Sequence, residues 1–182
     1  MRGLADIGVI CRTTVAWVLF LSAMFKLRHP GQFRYTLDAV LRGSHSSVGA
    51  VAAKVLPPLE ISLAVLLFVP LVPLVVSRAA SVIAAILLAG FIVVLIRGDS
   101  AAGCGCWRTS MGGSTRKVNI ARNIFLIVLA VVSASAGLGA SLGVWLVASG
   151  FGIIAAFMLL ELASIATAVS ATRIIIGGGE HS

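Results

Sequence analysis

Charged residues are what this sequence has least of. Only 11% of its 182 residues are charged, with six acidic residues against 14 Lys and Arg, whereas 59% are hydrophobic and the mean hydropathy is +1.11. A soluble domain is about 25% charged and about 45–50% apolar. Because so few polar groups cannot cover a surface in water, the composition excludes a soluble globular protein. It predicts an integral membrane protein.

The excess of basic residues does not indicate nucleic-acid binding. The net charge is +8, but the basic residues lie mainly between apolar runs, where they contact lipid head groups and set topology. No interleaving of basic and aromatic residues and no nucleic-acid motif is present. We therefore expect membrane lipids as partners and no nucleic acid.

The sequence also lacks internal repeats and any linker long enough to separate two domains. Apolar runs of about 20 residues predict helices that cross the bilayer, and the exposed edges of an open sheet could not be satisfied in hydrocarbon. No small-x-small cleavage site follows the first run, which predicts a retained anchor. We expect an all-α polytopic bundle, one membrane domain over residues 1–182, with a four-span core and a fifth C-terminal span. The predicted spans cover residues 13–27, 51–72, 79–96, 120–138 and 144–173.

Cysteine is scarce, yet two of the three cysteines stand one residue apart. Cys104 and Cys106 lie in the polar loop over residues 97–119, whereas Cys11 enters the first span from the opposite face and is expected to be inert. Gly105 lets the backbone bend so that the sulfurs can approach. A disulfide in so small a ring is strained and easily reduced, which suits a redox pair better than a structural staple. The alternative is that two small residues of this loop are cysteine by chance and have no redox role.

Residues near the cysteine loop are also compatible with metal binding. Nearby basic residues favour thiolate over thiol, and two thiolates could also bind Cu(I) or Zn(II) together with a histidine. Counting crossings places His29, His45 and His181 on the same membrane face as the loop. None of these histidines has a motif spacing with the cysteines. A metal site of Cys104, Cys106, His29 and His45 is therefore the alternative to redox exchange.

Glu60 is the most conspicuous charge inside an apolar run. It lies about ten residues, or about 15 Å, into the second predicted span, where a carboxylate is costly and marks a functional or pairing residue. Pro57 and Pro58 free backbone carbonyls just before it. Lys26, at the end of the first span on the same face, is the expected partner. A purely structural Lys-Glu pair is the alternative to a functional one.

Polar residues also open the fourth span, directly after the cysteine loop. Arg122 could face lipid head groups or stabilise a thiolate, and Asn123 is expected to form hydrogen bonds within the bundle. In the fifth span, Glu161 could pair with Lys26 or Arg122, or be protonated.

These features together resemble the MauE family of methylamine-utilisation proteins, which are distant relatives of DoxX-like membrane proteins. The resemblance covers residues 13–138 and is carried by "FLSAMFKLRHPGQF", "LPPLE", "GCGCW" and "RKVNIARNIFLI". The family usually has Phe-Gly after the second cysteine, whereas Trp107 and Arg108 follow here. The matching residues are Lys26, Pro57, Glu60, Cys104, Gly105, Cys106, Arg122 and Asn123.

The resemblance implies a multi-pass protein of the bacterial cell membrane that supports disulfide formation or maturation of extracytoplasmic proteins. It implies thiol-disulfide exchange with a thioredoxin-like partner carrying Cys-x-x-Cys, with Cys104 and Cys106 reacting and Glu60, Lys26, Arg122 and Asn123 assisting. A quinone could be the distant electron acceptor, although no sequence feature demonstrates one. A non-catalytic assembly subunit is a further alternative.

The distribution of basic residues and the disulfide chemistry predict opposite sides of the membrane for the cysteine loop. Eleven of the 14 Lys and Arg lie on the cysteine face or at its membrane edge, and the positive-inside rule then predicts a cytoplasmic loop. Disulfides are seldom stable in the cytoplasm, and the resemblance implies the opposite face. The chemistry favours an extracytoplasmic loop.

Overall fold

The structure, a computed structural model, describes residues 2–31, 33–34, 37, 47–97, 113–135 and 143–159. In this part of the chain there is no strand, and five long helices form the architecture. The first four are long and apolar enough to cross a membrane, which confirms the all-α polytopic bundle with a four-span core. The helices are α1 (Arg2–Arg28), α2 (Ser47–Phe68), α3 (Leu74–Arg97), α4 (Gly113–Ser135) and α5 (Gly143–Leu159).

Several helix ends differ from the predicted spans. Helix α1 begins at Arg2 rather than near residue 13, because Arg12 does not mark the membrane edge. Its side chain is only 3% exposed, and its Nη1 donates a hydrogen bond to Ser77 Oγ at 3.1 Å. A charge that interrupts an apolar run in the sequence is thus accommodated inside the bundle.

Proline decides where α2 ends. The prediction extended the second span to residue 72, but the helix ends at Phe68, because Pro70 and Pro73 disfavour helical conformation in the residues before them. Helix α3 begins at Leu74, directly after Pro73, and not at 79. Helix α4 covers Gly113–Ser135 rather than 120–138. The continuation of the fifth span to residue 173, including Glu161, lies outside the described residues.

Helix α1 packs against both α2 and α4, while α3 packs against α2 and α4. The interior between them is filled by aliphatic side chains, among them Leu19, Leu67 and Leu126, each at most 2% exposed. The outer faces carry exposed apolar side chains such as Ile86 and Val131. Apolar surface of this extent is stable only against hydrocarbon, so the protein is a multi-pass membrane protein.

Helix α5 is joined to α1 by a close contact between backbones. Thr13 Oγ1 donates a hydrogen bond to the carbonyl oxygen of Ala148 at 3.0 Å. One turn further along α5, a Cβ atom added to Gly152 would lie 3.0 Å from Thr13 Oγ1 and 3.1 Å from the backbone of Thr13 and Thr14. Small residues allow helices in membranes to approach in this way. Gly152 is therefore required by packing.

Replacing Gly152 by alanine tests this contact. We expect Gly152→Ala to lower the free energy of unfolding by about 1–3 kcal/mol, because the added methyl group meets backbone atoms of α1 that cannot turn aside. The measurement is unfolding in detergent micelles. Gly150→Ala on the same helix is the matched control, since nothing lies within 4 Å of its Cβ position. Equal effects of the two substitutions would contradict the packing role.

Candidate functional site

The structure brings Lys26 and Glu60 together as a buried ion pair. Lys26 Nζ and Glu60 Oε1 are in direct contact, and both side chains are fully buried. The predicted pairing of these residues is therefore confirmed. Removing two charges from water is costly, and their attraction offsets that cost only in good geometry. Each charge is tolerated at this depth because the other is present.

Aromatic rings enclose the ammonium group of Lys26. Its Nζ lies 4.1 Å from the centroid of the Phe91 ring of α3 and 5.1 Å from that of Phe33, which follows α1. Both rings are largely buried. A cation over an aromatic face is attracted by the ring quadrupole, and more strongly when both are desolvated. The rings thus attract the ammonium group and shield the ion pair from water.

The two prolines of α2 lie within one turn of Glu60. Pro57 is buried and Pro58 exposed. Because proline has no N–H, two hydrogen bonds of the helix ladder are missing directly before the carboxylate. One turn later the hydroxyl of Ser62 donates to the carbonyl oxygen of Pro58 at 2.9 Å. The helix continues through Glu60, and the carbonyls that the prolines leave without a donor are those of Ala53 and Lys54, about two turns before it.

Arg122 and Asn123 line a small cavity next to the ion pair. The cavity, of about 20 Å³, lies between α1, α3 and α4, and the Phe91 ring that contacts Lys26 forms part of its wall. Asn123 is 3% exposed, whereas Arg122 is half-buried with its Nε inaccessible to solvent. The lining residues are Val18, Leu19, Ser22, Leu88, Phe91, Arg122, Asn123 and Leu126.

The half-buried position of Arg122 is compatible with both predicted roles, a contact with head groups and an interaction inside the bundle. Arg122 lines the same cavity as Phe91, whose ring contacts Lys26. Lys26 and Glu60 form the ion pair, and Phe91 both contacts Lys26 and lines the cavity with Arg122, so this cluster contains two cations and one carboxylate. With all three ionised, this cluster carries one net positive charge. Such a cluster stabilises an anion at its edge.

Most of the remaining predicted site residues lie outside the part of the chain that the structure describes. Cys104, Cys106, His45, His181 and Glu161 lie outside the described residues, and His29 is exposed at the end of α1. Cys11 is a free, buried cysteine of α1. Within the described ranges, no group of three His, Cys, Asp or Glu side chains could hold a metal ion.

Three residues of the site were missed by sequence reasoning, namely Phe33, Phe91 and Ser22. Phe91 is one of eight phenylalanines and stands in a uniformly apolar run, so nothing in the sequence distinguishes it. Ser22 stands four residues before Lys26, and this spacing puts both on one face of α1. That spacing was the available signal for Ser22.

The site lies within a region that matches a known family. A family model described as "Methylamine utilisation protein MauE" matches residues 4–136. The chain belongs to the MauE family. It is also similar to "Methylamine utilization protein MauE" of Paracoccus denitrificans, with 28% identity over 165 residues that cover 89% of this chain and 88% of that protein. No solved structure was found to match. The MauE match includes Lys26, Glu60, Phe91, Arg122 and Asn123.

Single and double substitutions of the ion pair measure its contribution to stability. We expect Lys26→Met and Glu60→Gln each to cost about 3–5 kcal/mol, because each leaves one buried charge uncompensated. The double variant should lose less than either single variant, since no buried charge remains. Unfolding in micelles gives the coupling energy. Lys54→Met is the control, because Lys54 is an exposed lysine of α2. Additive losses would refute the pairing.

Proposed function

We propose that the protein is a membrane thiol-disulfide redox protein that exchanges electrons between its Cys104–Cys106 pair and a thioredoxin-like protein with a Cys-x-x-Cys motif. In this role it supports disulfide formation or maturation of extracytoplasmic proteins. The observation that supports the proposal most directly is the buried Lys26–Glu60 pair with Arg122 beside it. Arg122 lies on α4, which follows the cysteine loop, and Lys26 and Glu60 lie on α1 and α2, while α3 before the loop contributes Phe91.

Chain connectivity supports this link between the loop and the charges. The loop joins the end of α3 at Arg97 to the start of α4 at Gly113. Phe91 precedes Arg97 by six residues, or about 9 Å, and Arg122 follows Gly113 by nine, or about 14 Å. We expect a connection between these two helix ends to keep its cysteines on the membrane face at which α1 ends. The cluster is thus the nearest set of buried charges to the proposed reaction.

Exchange proceeds in two displacements. A thiolate of the reduced pair attacks one sulfur of the partner's disulfide, so that the partner's S–S bond breaks, its other sulfur leaves as thiolate, and a mixed disulfide forms. The second cysteine then attacks the Cys104 or Cys106 sulfur of the mixed disulfide, which releases the partner as a dithiol. Two electrons and two protons pass to the partner. The reverse sequence oxidises the partner by the same steps.

The ion pair would handle the protons that accompany these electrons. Glu60 can accept a proton when a thiol ionises, and Lys26 can donate one to a departing thiolate. When Glu60 takes up a proton, it loses the negative charge that is paired with Lys26. The protonation states of the two groups therefore depend on each other. The excess positive charge contributed by Arg122 would favour the thiolate, while the buried amide of Asn123 would orient the start of α4.

We further propose that the cysteine loop lies on the extracytoplasmic face of the bacterial cell membrane. Disulfide chemistry is sustained there, whereas cytoplasmic thiols are kept reduced. One of the basic residues that bias the count toward this face does not contact head groups, because Lys26 is buried in the ion pair. No residue is assigned to a quinone, and no step of the exchange requires one in this scheme.

Trapping of the mixed disulfide tests the exchange. We expect one of Cys104→Ser and Cys106→Ser to accumulate a reducible adduct with a Cys-x-x-Cys protein, because the resolving thiol is absent. Non-reducing gels of membranes quenched with acid and alkylated provide the measurement. Cys11→Ser is the matched control, since this buried cysteine of α1 should leave the exchange unchanged.

Labelling of intact cells with a membrane-impermeant maleimide, in the Cys11→Ser background, determines on which side of the membrane the cysteine loop lies. The proposal requires labelling of Cys104 and Cys106 after an impermeant reductant. Labelling that needs permeabilised membranes would overturn the extracytoplasmic assignment. Absence of adducts together with copper or zinc in the purified protein, lost in Cys104→Ser, would instead favour metal binding. Full function of both cysteine variants would favour an assembly subunit.

A further inference from the structure

The Lys26 ammonium group has three attractive partners, and only one of them can lose its charge. Glu60 of α2 contacts Nζ directly, while the ring centroids of Phe91 and Phe33 lie 4.1 Å and 5.1 Å from it. Both distances are within the limit of about 6 Å for a cation–π interaction. A proton neutralises a carboxylate, whereas no proton neutralises a phenyl ring. The attraction of the rings therefore persists when Glu60 is uncharged.

Without the rings, an uncharged Glu60 would release the side chain of Lys26. A lone ammonium group is costly inside the membrane, and the lysine side chain is long and flexible enough to carry its charged end toward the head groups. The way is short, because Lys26 lies two residues, or about 3 Å, before the end of α1 at Arg28. Holding the ammonium group in place therefore requires a partner whose attraction does not depend on a proton.

We propose that Phe91 is the positioning residue that keeps the Lys26 ammonium group beside Glu60 after this carboxylate has taken up a proton. Phe91 is the closer of the two rings, is only 8% exposed, and lies inside the regular helix α3. Desolvation of the cation and the ring strengthens a cation–π interaction, and Lys26 is only 1% exposed. Phe33, at the greater distance, contributes less.

The purpose of this role rests on the proposed function. In the proposed exchange, Glu60 accepts a proton from a thiol and Lys26 donates one to a departing thiolate. The donor must stay in place between these two steps, and Phe91 provides that constraint. The contact between the ring and the ammonium group involves neither cysteine, so the positioning role and the redox function can fail separately.

Magnetic resonance of the full-length protein in lipid bilayers tests the role. The chain has only three lysines, Lys26, Lys54 and Lys117, so labelling of lysine alone gives three sets of side-chain signals. The Lys26 signal is the one that persists when the other two, both exposed, are replaced by arginine. Protons above the face of a phenyl ring are shifted upfield by its ring current. We therefore expect the terminal methylene of Lys26 to lie upfield of the other two lysines in the natural protein.

Glu60→Gln supplies the uncharged state, because glutamine has nearly the shape of a protonated glutamic acid. In this variant we expect the upfield shift of Lys26 to persist with the natural Phe91 ring. It should be lost when Phe91 is replaced by trifluorinated phenylalanine, whose fluorines withdraw negative charge from the ring face. With Glu60 intact, fluorination should leave the shift nearly unchanged, because the carboxylate still holds the ammonium group. A ring that only fills space would respond to fluorination in neither background.

Two results overturn the proposal. Loss of the shift in Glu60→Gln with the natural ring would show that Phe91 does not hold the ammonium group, and an unchanged shift with the fluorinated ring would show that another contact holds it. Should Glu60→Gln fail to fold, fluorination in the natural chain decides by stability. We expect the equilibrium constant for unfolding in micelles to rise about tenfold when Phe91 is fluorinated, and less for exposed Phe125 of α4, the matched control. Equal effects at the two positions would overturn the role.

Discussion

The contact between Lys26 and Glu60 is the constraint on which the arrangement of the helices depends. Neither charge is stable alone at that depth, so the end of α1 must lie at the middle of α2. The ammonium group then needs cover, which Phe33 and Phe91 provide. Through Phe91 the requirement extends to α3. One ion pair thus fixes the positions of three elements at one end of the bundle.

The other end of the bundle is held by neutral contacts. Thr13 bonds to the backbone of α5, and Ser81 of α3 lies 3.2 Å from Ser133 of α4 between hydroxyl oxygens. Arg12 is an exception, and its hydrogen bond to Ser77 joins α1 to α3. Hydroxyl groups and small residues allow close packing without the reactivity of a carboxylate or an amine. The groups suited to proton transfer accordingly lie away from this end, where α1 ends against the middle of α2.

Sequence reasoning predicted the parts of this structure that rest on composition and on isolated charges. Spans follow from the length of apolar runs, and Glu60 and Lys26 stand out because charges are rare in such runs. Helix α1 was predicted too short, because Arg12 reads as a membrane edge and its acceptor Ser77 is 65 residues away. The same limit applies to Phe91 and Gly152. Their roles arise from contacts between helices. The chain contains other phenylalanines and glycines, and the sequence does not show which of them make such contacts.

We propose that thiol chemistry in the loop is coupled to protonation of Glu60. Infrared difference spectroscopy of the protein in lipid, oxidised minus reduced, tests this most directly, because carboxyl and carboxylate groups absorb separately. The account predicts a carboxyl band that changes with the redox state, that is absent in Glu60→Gln, and that is also absent when Cys104 and Cys106 are both serine. Identical difference spectra for the natural protein and Glu60→Gln would contradict it, and the ion pair would then be structural only.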